Sequence, residues 1–171
     1  CFGCSEGGDC FAFLMKIEGM DFPEALRHLG AKVGIEVKRF STAQSNEKQR
    51  MLAINELAAK YYRKVLCDST AAVAAREYLA KRGISEALCT TFNIGFAPDG
   101  WDALALFLAK RGFPETEGER SGLLMRRRQG SGMIDRFRNR IMIPLRDHHG
   151  NTVGFTGRSM PGASDEAGAK Y

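Results

Sequence analysis

Two groups of residues in this 171-residue chain could do chemistry: a pair of thiols at its start and a run of arginines near its end. Cys1 and Cys4 form a Cys-x-x-Cys pair, with Gly3 allowing the loop between them to turn both sulfurs toward one point. Three readings are open: half of a tetrahedral zinc site, a redox dithiol, or incidental cysteines. A redox pair is acidified by direct contact with a helix N-terminus. Here Gly7-Gly8 separates the thiols from the helix that follows, which favours metal over redox. Zinc needs four ligands and only two stand here, so the chain reads as a fragment cut through a zinc site.

The second group lies between Arg126 and Arg158, where eight arginines face two acids, Asp135 and Asp147. Arginine suits bidentate contact with phosphate oxygens. In the stretch Asp135-Arg136-Phe137-Arg138-Asn139-Arg140, alternate residues share a face if a strand starts early. Arg136, Arg138 and Arg140 would then form a row that tracks a phosphate backbone, with Phe137 anchored opposite and Arg146 and Arg158 flanking. The plainer alternative is a solvated, charged strand end. Arg126-Arg127-Arg128, between glycines, reads as a surface loop, and His28, His148 and His149 as surface residues. Cys10, Cys67 and Cys89 fall within apolar patterns and read as core or near-surface positions. No carboxylate pair marks a catalytic centre.

The elements that must position these groups follow from periodicity and caps. Cys10 to Ile17 is helical and stops at Gly19; Asp21 caps a second helix, with Pro23 in its first turn and Glu24 completing a capping box. Phe22, Ala25, Leu26, Leu29 and Val33 make its apolar face. Residues 39–47 are polar and Ser-rich and read as a linker between an N-terminal region, 1–38, and a larger one, 48–171. A long helix from Glu47 to about Leu66 carries Met51, Ile54, Ala58, Tyr61 and Val65 on one stripe. Ser69 or Thr70 caps another helix to Lys81, and Ser85 opens a short one. Phe92 to Phe96 runs extended into Pro98-Asp99-Gly100, and Trp101 to Lys110 is helical. Beyond Arg138 the period becomes 2, giving two strands, Ile141 to Leu145 and Val153 to Gly157, joined through Asp147–Asn151. The predicted fold is α+β: mainly helical, with a C-terminal antiparallel hairpin and the remnant of a zinc ribbon at the N-terminus.

Composition narrows the function. At 44% apolar residues the chain can bury a core. An odd count of five cysteines argues for a reducing cytoplasm and against a disulfide framework. No apolar stretch approaches a membrane span. The net charge of +5 favours a polyanionic partner.

Several blocks resemble, in order, bacterial DnaG-type DNA primases. They are Cys1-Phe2-Gly3-Cys4 with Gly7-Gly8-Asp9, Phe22-Pro23-Glu24-Ala25, Ala75-Arg76-Glu77-Tyr78-Leu79, Arg82-Gly83-Ile84 and Phe92 to Pro98. Asp135 to Arg140, Gly157-Arg158 and Lys170-Tyr171 complete the likeness. The resemblance implies a DNA-directed RNA polymerase that makes short RNA primers on a single-stranded DNA template from NTPs. Mg²⁺ would be held by acidic residues of a Toprim domain, and a replicative helicase is the expected partner. By resemblance, Cys1 and Cys4 are the second zinc-ligand pair. Arg136, Arg138, Asn139, Arg140, Arg146 and Arg158 line a groove for template, primer and nucleotide phosphates, and Lys170-Tyr171 lies beside the active site. The family's Cys-x-x-His pair and its acidic motifs are not in the sequence, so the piece alone is expected neither to hold zinc tightly nor to polymerise. The competing expectation is a non-catalytic zinc-ribbon module of a phage or plasmid replication protein that binds single-stranded DNA.

Overall fold

The computed structural model describes residue 3 and residues 6–37, 43–127 and 130–161, with only the backbone of 43–45. The chain divides into two units, Cys1–Ala43 and Gln44–Tyr171. In the first, α1 (Cys10–Glu18) starts where the Asp9 carboxylate accepts from the Ala12 N–H at 2.9 Å, and ends at Gly19 with φ 64°. Both halves of the predicted capping box open α2 (Phe22–Lys32): Asp21 accepts from the Glu24 N–H at 2.8 Å, and Glu24 from the Asp21 N–H at 3.1 Å. Phe11 meets Phe22 across the two helices. The expected apolar face is only partly covered: Phe22 and Val33 are exposed, as are Phe13 and Ile17. Two short helices offer too little surface to enclose them.

The second unit opens on α3 (Ala43–Asp68), 26 residues and about 39 Å long. It begins four residues before Glu47, so the C-terminal part of the expected linker is helical. Its Ala-Gln and Glu-Lys-Gln-Arg residues are good helix formers; positions 39–42 lie outside the described residues. The Ser69 hydroxyl caps a 3₁₀ turn, Thr70–Ala72, that leads into α4 (Val73–Lys81). Ser85 caps α5 (Glu86–Thr91). The extended segment is shorter than predicted: Phe92 ends α5, Asn93 has φ 50°, and β1 covers only Gly95–Ala97. Then come α6 (Ala103–Lys110), α7 (Glu115–Arg120), β2 (Leu124–Arg126), β3 (Met133–Asp135), β4 (Arg140–Arg146) and β5 (Thr152–Ser159). α7 and the β2–β3 ribbon were not foreseen. Arg126 belongs to β2 and its guanidinium pairs with Glu119 at 2.9 Å, so it is no loose loop residue.

The sheet is antiparallel in the order β1-β4-β5, with β4 in the middle. Because β4 is central, its two faces feed two cores. Ile141 and Ile143 join Phe96, Leu66, Ala75 and Leu79 on one side. Met142 joins Ala97, Phe155, Tyr62, Leu104 and Leu108 on the other. α3 serves both cores, through Leu66 and through Ile54, Ala58 and Tyr62. Its buried stripe is therefore rotated from the predicted one, toward Tyr62 rather than Tyr61. Gly95 lets β1 lie against this helix: a Cβ there would sit 2.5 Å from the Tyr62 carbonyl carbon. The hairpin loop is held as expected, with Asp147 accepting from the His149 and Asn151 backbone N–H groups at 3.0 and 2.8 Å. No helix among the described residues is long and apolar enough to cross a membrane.

Candidate nucleic-acid interface

The arginine-rich stretch is fixed at its start by a buried carboxylate. Asp135 ends β3 at 3% exposure and accepts from the first N–H groups of α6, Leu104 at 2.8 Å and Ala105 at 3.0 Å. Its own N–H donates to the Trp101 carbonyl at 2.7 Å. Burial pushes the Asp135 carboxyl above its usual range, and the two helix N–H groups pull against that shift. This residue is a positioning group, because it ties the stretch to the N-terminus of α6.

Arg136 follows, exposed, with its N–H bonded to the Leu123 carbonyl at 2.9 Å. Half-buried Arg138 lies over the Trp101 ring, 4.2 Å from its centroid, and donates to the Asp135 carbonyl at 2.7 Å. Asn139 then takes φ 48°, its N–H donating to the Pro98 carbonyl at 3.3 Å and its carbonyl accepting from Met160 at 3.1 Å. That left-handed residue breaks the strand alternation, so the strand begins only at Arg140. Arg140 is buried, at 6% exposure, and donates to the Gly157 carbonyl at 2.9 Å. The expected row of three in-phase arginines is therefore not what forms: Arg136 and Arg138 lie before the kink, and Arg140 is folded into the sheet.

Arg158 sits opposite Ile141 in the ladder, so it emerges on the sheet face away from Arg140. Its Nε donates to the Tyr78 hydroxyl at 3.0 Å, and the Arg82 guanidinium lies 5.2 Å from the same ring. That hydrogen bond, with the charges of Arg158 and Arg82, holds the Tyr78 phenol below its usual range although desolvation opposes the shift. Arg146 is exposed at the far end of β4. Cys1, Cys4, Lys170 and Tyr171 lie outside the described residues. Among those described, no three His, Cys, Asp or Glu side chains gather as a metal group.

Two cation–aromatic pairs thus emerge, Arg138 on Trp101 and Arg158 with Arg82 about Tyr78. An arginine beside an exposed aromatic offers a phosphate grip and a stacking surface together, the combination that single strands require. Trp101 is 59% exposed, so part of its ring is open to solvent.

Comparison with known proteins decides the family. Residues 61–171 match the DNA primase catalytic core, N-terminal domain, and residues 1–45 match the CHC2 zinc finger. The chain belongs to the DnaG family of bacterial DNA primases. The DNA primase of Geobacillus stearothermophilus is 39% identical over 167 residues, which is 94% of this chain and 28% of that protein. The RNA polymerase domain of Mycobacterium tuberculosis primase DnaG, in complex with a double-stranded DNA oligomer with a 6-nucleotide overhang, aligns with a TM-score of 0.66. It is 39% identical, covering 72% of this chain and 37% of that one. A DnaG primase catalytic domain bound to single-stranded DNA aligns at a TM-score of 0.60 and 36% identity, over 67% of this chain and 36% of that chain. This DnaG-family chain therefore spans under a third of its curated relative.

Within this DnaG-family chain, sequence reasoning passed over Trp101, Tyr78 and Arg82. The four-residue spacing of Tyr78 and Arg82 on a helix was visible, but their meeting with Arg158 depends on tertiary contact.

Proposed function

We propose that this chain is a segment of a replicative primase, a DNA-directed RNA polymerase that synthesises RNA primers from NTPs on single-stranded DNA in the cytoplasm, beside a replicative helicase. Its domains are a zinc-ribbon part over 1–38, a joining stretch near 39–47 and the N-terminal part of the polymerase core over 48–171. The observation that carries this reading is the match of residues 61–171 to the primase catalytic core. In it, Arg136, Arg138 with Trp101, and Arg158 with Tyr78 grip template, primer or nucleotide phosphates. Arg146 and Asn139 extend that surface, while Arg140 supports it from within the sheet; Lys170 and Tyr171, outside the described residues, are assigned to nucleotide binding by the resemblance alone. Cys1 and Cys4 are soft thiolates at the spacing of half a tetrahedral zinc site, and would serve as structural ligands. Bound Mg²⁺ would supply charge neutralisation at the phosphates, from acidic residues in the part of the relatives that this chain does not cover.

The binding role is tested by anisotropy of a labelled oligothymidylate titrated with the full chain at several salt concentrations. Each phosphate contact on a single strand contributes about 0.7 to the slope of log K against log salt. Arg136→Ala with Arg138→Ala should therefore flatten the slope by about 1.4, while Arg126→Ala, whose guanidinium is taken by Glu119, should leave it unchanged. Equal flattening by both would mean a diffuse charge field and no defined grip. The enzyme claim fails if the parent protein makes no primers from NTPs, Mg²⁺ and a single-stranded template. Binding without synthesis would leave the non-catalytic module.

A further inference from the structure

α4 has two working sides. Tyr78 and Arg82 face Arg158, whereas Arg76 and Ala80, also four residues apart, lie on the opposite side of the helix. There a cleft of about 650 Å³ opens between α3, α4 and α5. Its size is that of a small-molecule site. Leu66, Ala80, Ile84 and Cys89 supply an apolar wall, and two guanidinium groups, Arg63 and Arg76, share the lining.

Both arginines are half-buried and both are held by neutral oxygens. Arg63 donates to the Thr90 hydroxyl at 2.8 Å and to the Ile94 carbonyl at 3.4 Å. Arg76 donates to the Leu66 and Ser69 carbonyls at 2.7 and 3.0 Å. These bonds fix the two heads without neutralising them, and among the described residues neither forms an ion pair. Arg50, Arg120 and Arg126 in the same unit each have a carboxylate within hydrogen-bond distance. Among the described residues Glu86 is the single acid of the lining; it is exposed and pairs with neither arginine. Two like charges partly withdrawn from water on one concave apolar surface are unfavourable until an anion joins them.

We propose that this cleft binds a small amphipathic anion: one phosphate, sulfonate or carboxylate group on a flat apolar body. Arg63 and Arg76 hold the anionic group, and Leu66, Ile84 and Cys89 receive the body. The mainly apolar wall suits a discrete small molecule rather than a nucleic-acid backbone, so the site is separate from the surface assigned to DNA.

Anilinonaphthalene sulfonate is a suitable probe, titrated into the full chain by fluorescence. The neutral phenylnaphthylamine, which lacks the sulfonate, serves as the comparison. Ala80→Trp fills the cleft from an exposed position, and Arg63→Gln removes one grip. Each should weaken sulfonate binding at least tenfold while the variant keeps a single cooperative melting transition, and the neutral amine should bind at least tenfold more weakly than the sulfonate. Cys67, an exposed thiol on the cleft, gives a second readout: the probe should slow its alkylation by iodoacetamide at least fivefold and leave that of Cys10 unchanged. Equal affinity for the two probes, undiminished binding by both variants, or equal protection of Cys67 and Cys10 would each overturn the site. Those results would place the dye on exposed apolar surface such as Phe13 and Ile17.

Discussion

Replacing Asp135 with alanine should destabilise the second unit more than any single loss of surface charge. The carboxylate accepts from two N–H groups, those of Leu104 and Ala105, whose residues are themselves buried. Each donor left without a partner costs about 1–3 kcal/mol, and relief of carboxylate desolvation offsets part of that. The net expectation is a loss of about 3 kcal/mol for Asp135→Ala. Asp135→Asn keeps an acceptor for one N–H and should cost about half as much. For a unit of this size about 1 kcal/mol moves the melting temperature by about 2–4 °C, so alanine should lower it by about 6–12 °C. The chain has a single tryptophan, Trp101, whose carbonyl bonds to Asp135 and whose ring lies beneath Arg138. Its fluorescence during thermal unfolding therefore reads the locus directly.

The pH dependence has a defined sign. Burial holds the folded carboxyl above 3.8, so the folded chain keeps a proton that the unfolded chain has released. This group's contribution is full below 3.8 and is lost as pH rises through the folded value. The stability gap between wild type and Asp135→Asn should accordingly be wider at about pH 4 than at neutrality. Equal melting temperatures for the alanine and asparagine variants would refute the assignment of Asp135 as the anchor of α6, whereas a gap that widens toward neutral pH would refute the upward push of burial on its carboxyl.

Gly95→Ala should prevent stable folding of the second unit, since the new Cβ meets backbone atoms of Tyr62 and Arg63 at 2.5 and 2.7 Å and neither can move aside; a wild-type circular dichroism melt would contradict the packing of β1 on α3. Arg140→Ala should cost about 2 kcal/mol in denaturant unfolding, because it empties a buried position bonded to the Gly157 carbonyl, and no measurable cost would mean that the side chain is not seated in the sheet. In an ultraviolet tyrosine titration, Tyr78 should ionise before Tyr61 and Tyr62, both raised by burial, and Tyr78→Phe should remove its phase. Tyr62, raised well above 10 by burial, should ionise only as the protein unfolds in alkali, since the stability tied to its neutral form is lost as pH climbs past 10. Simultaneous ionisation of Tyr61, Tyr62 and Tyr78 in the folded protein would contradict these environments.

What could be read from sequence was mostly local. The Asp21–Glu24 capping box, the Ser85 cap and the Asp147–Asn151 loop are each specified by residues a few positions apart, and the structure has all three. The α+β architecture followed from the change of hydrophobic period near residue 140. The phase of the arginines did not follow: asparagine tolerates the left-handed region better than most residues, but that tolerance does not by itself decide that Asn139 takes it. Its N–H and carbonyl are claimed by Pro98 and Met160, partners from distant parts of the chain. β2 and β3 are three residues each, too short for alternation to register, and the sequence between them, rich in arginine and glycine, reads as a loop. The Arg138–Trp101 and Arg158–Tyr78 pairs were illegible for the same reason: each joins residues far apart in the chain.

The central place of β4 also sets an order of events when the chain is made. Its partners are β1, completed long before it, and β5, which emerges only after the hairpin loop. Until residues 140–159 have left the ribosome, Phe96 and Ala97 have no strand to join, and the helices already synthesised hold two unfinished apolar faces. Such non-local pairing is slow to form and exposes sticky surface meanwhile. The nascent unit therefore carries two open apolar faces over the interval between α3 and β5, and a chain cut short before β5 would have neither core closed.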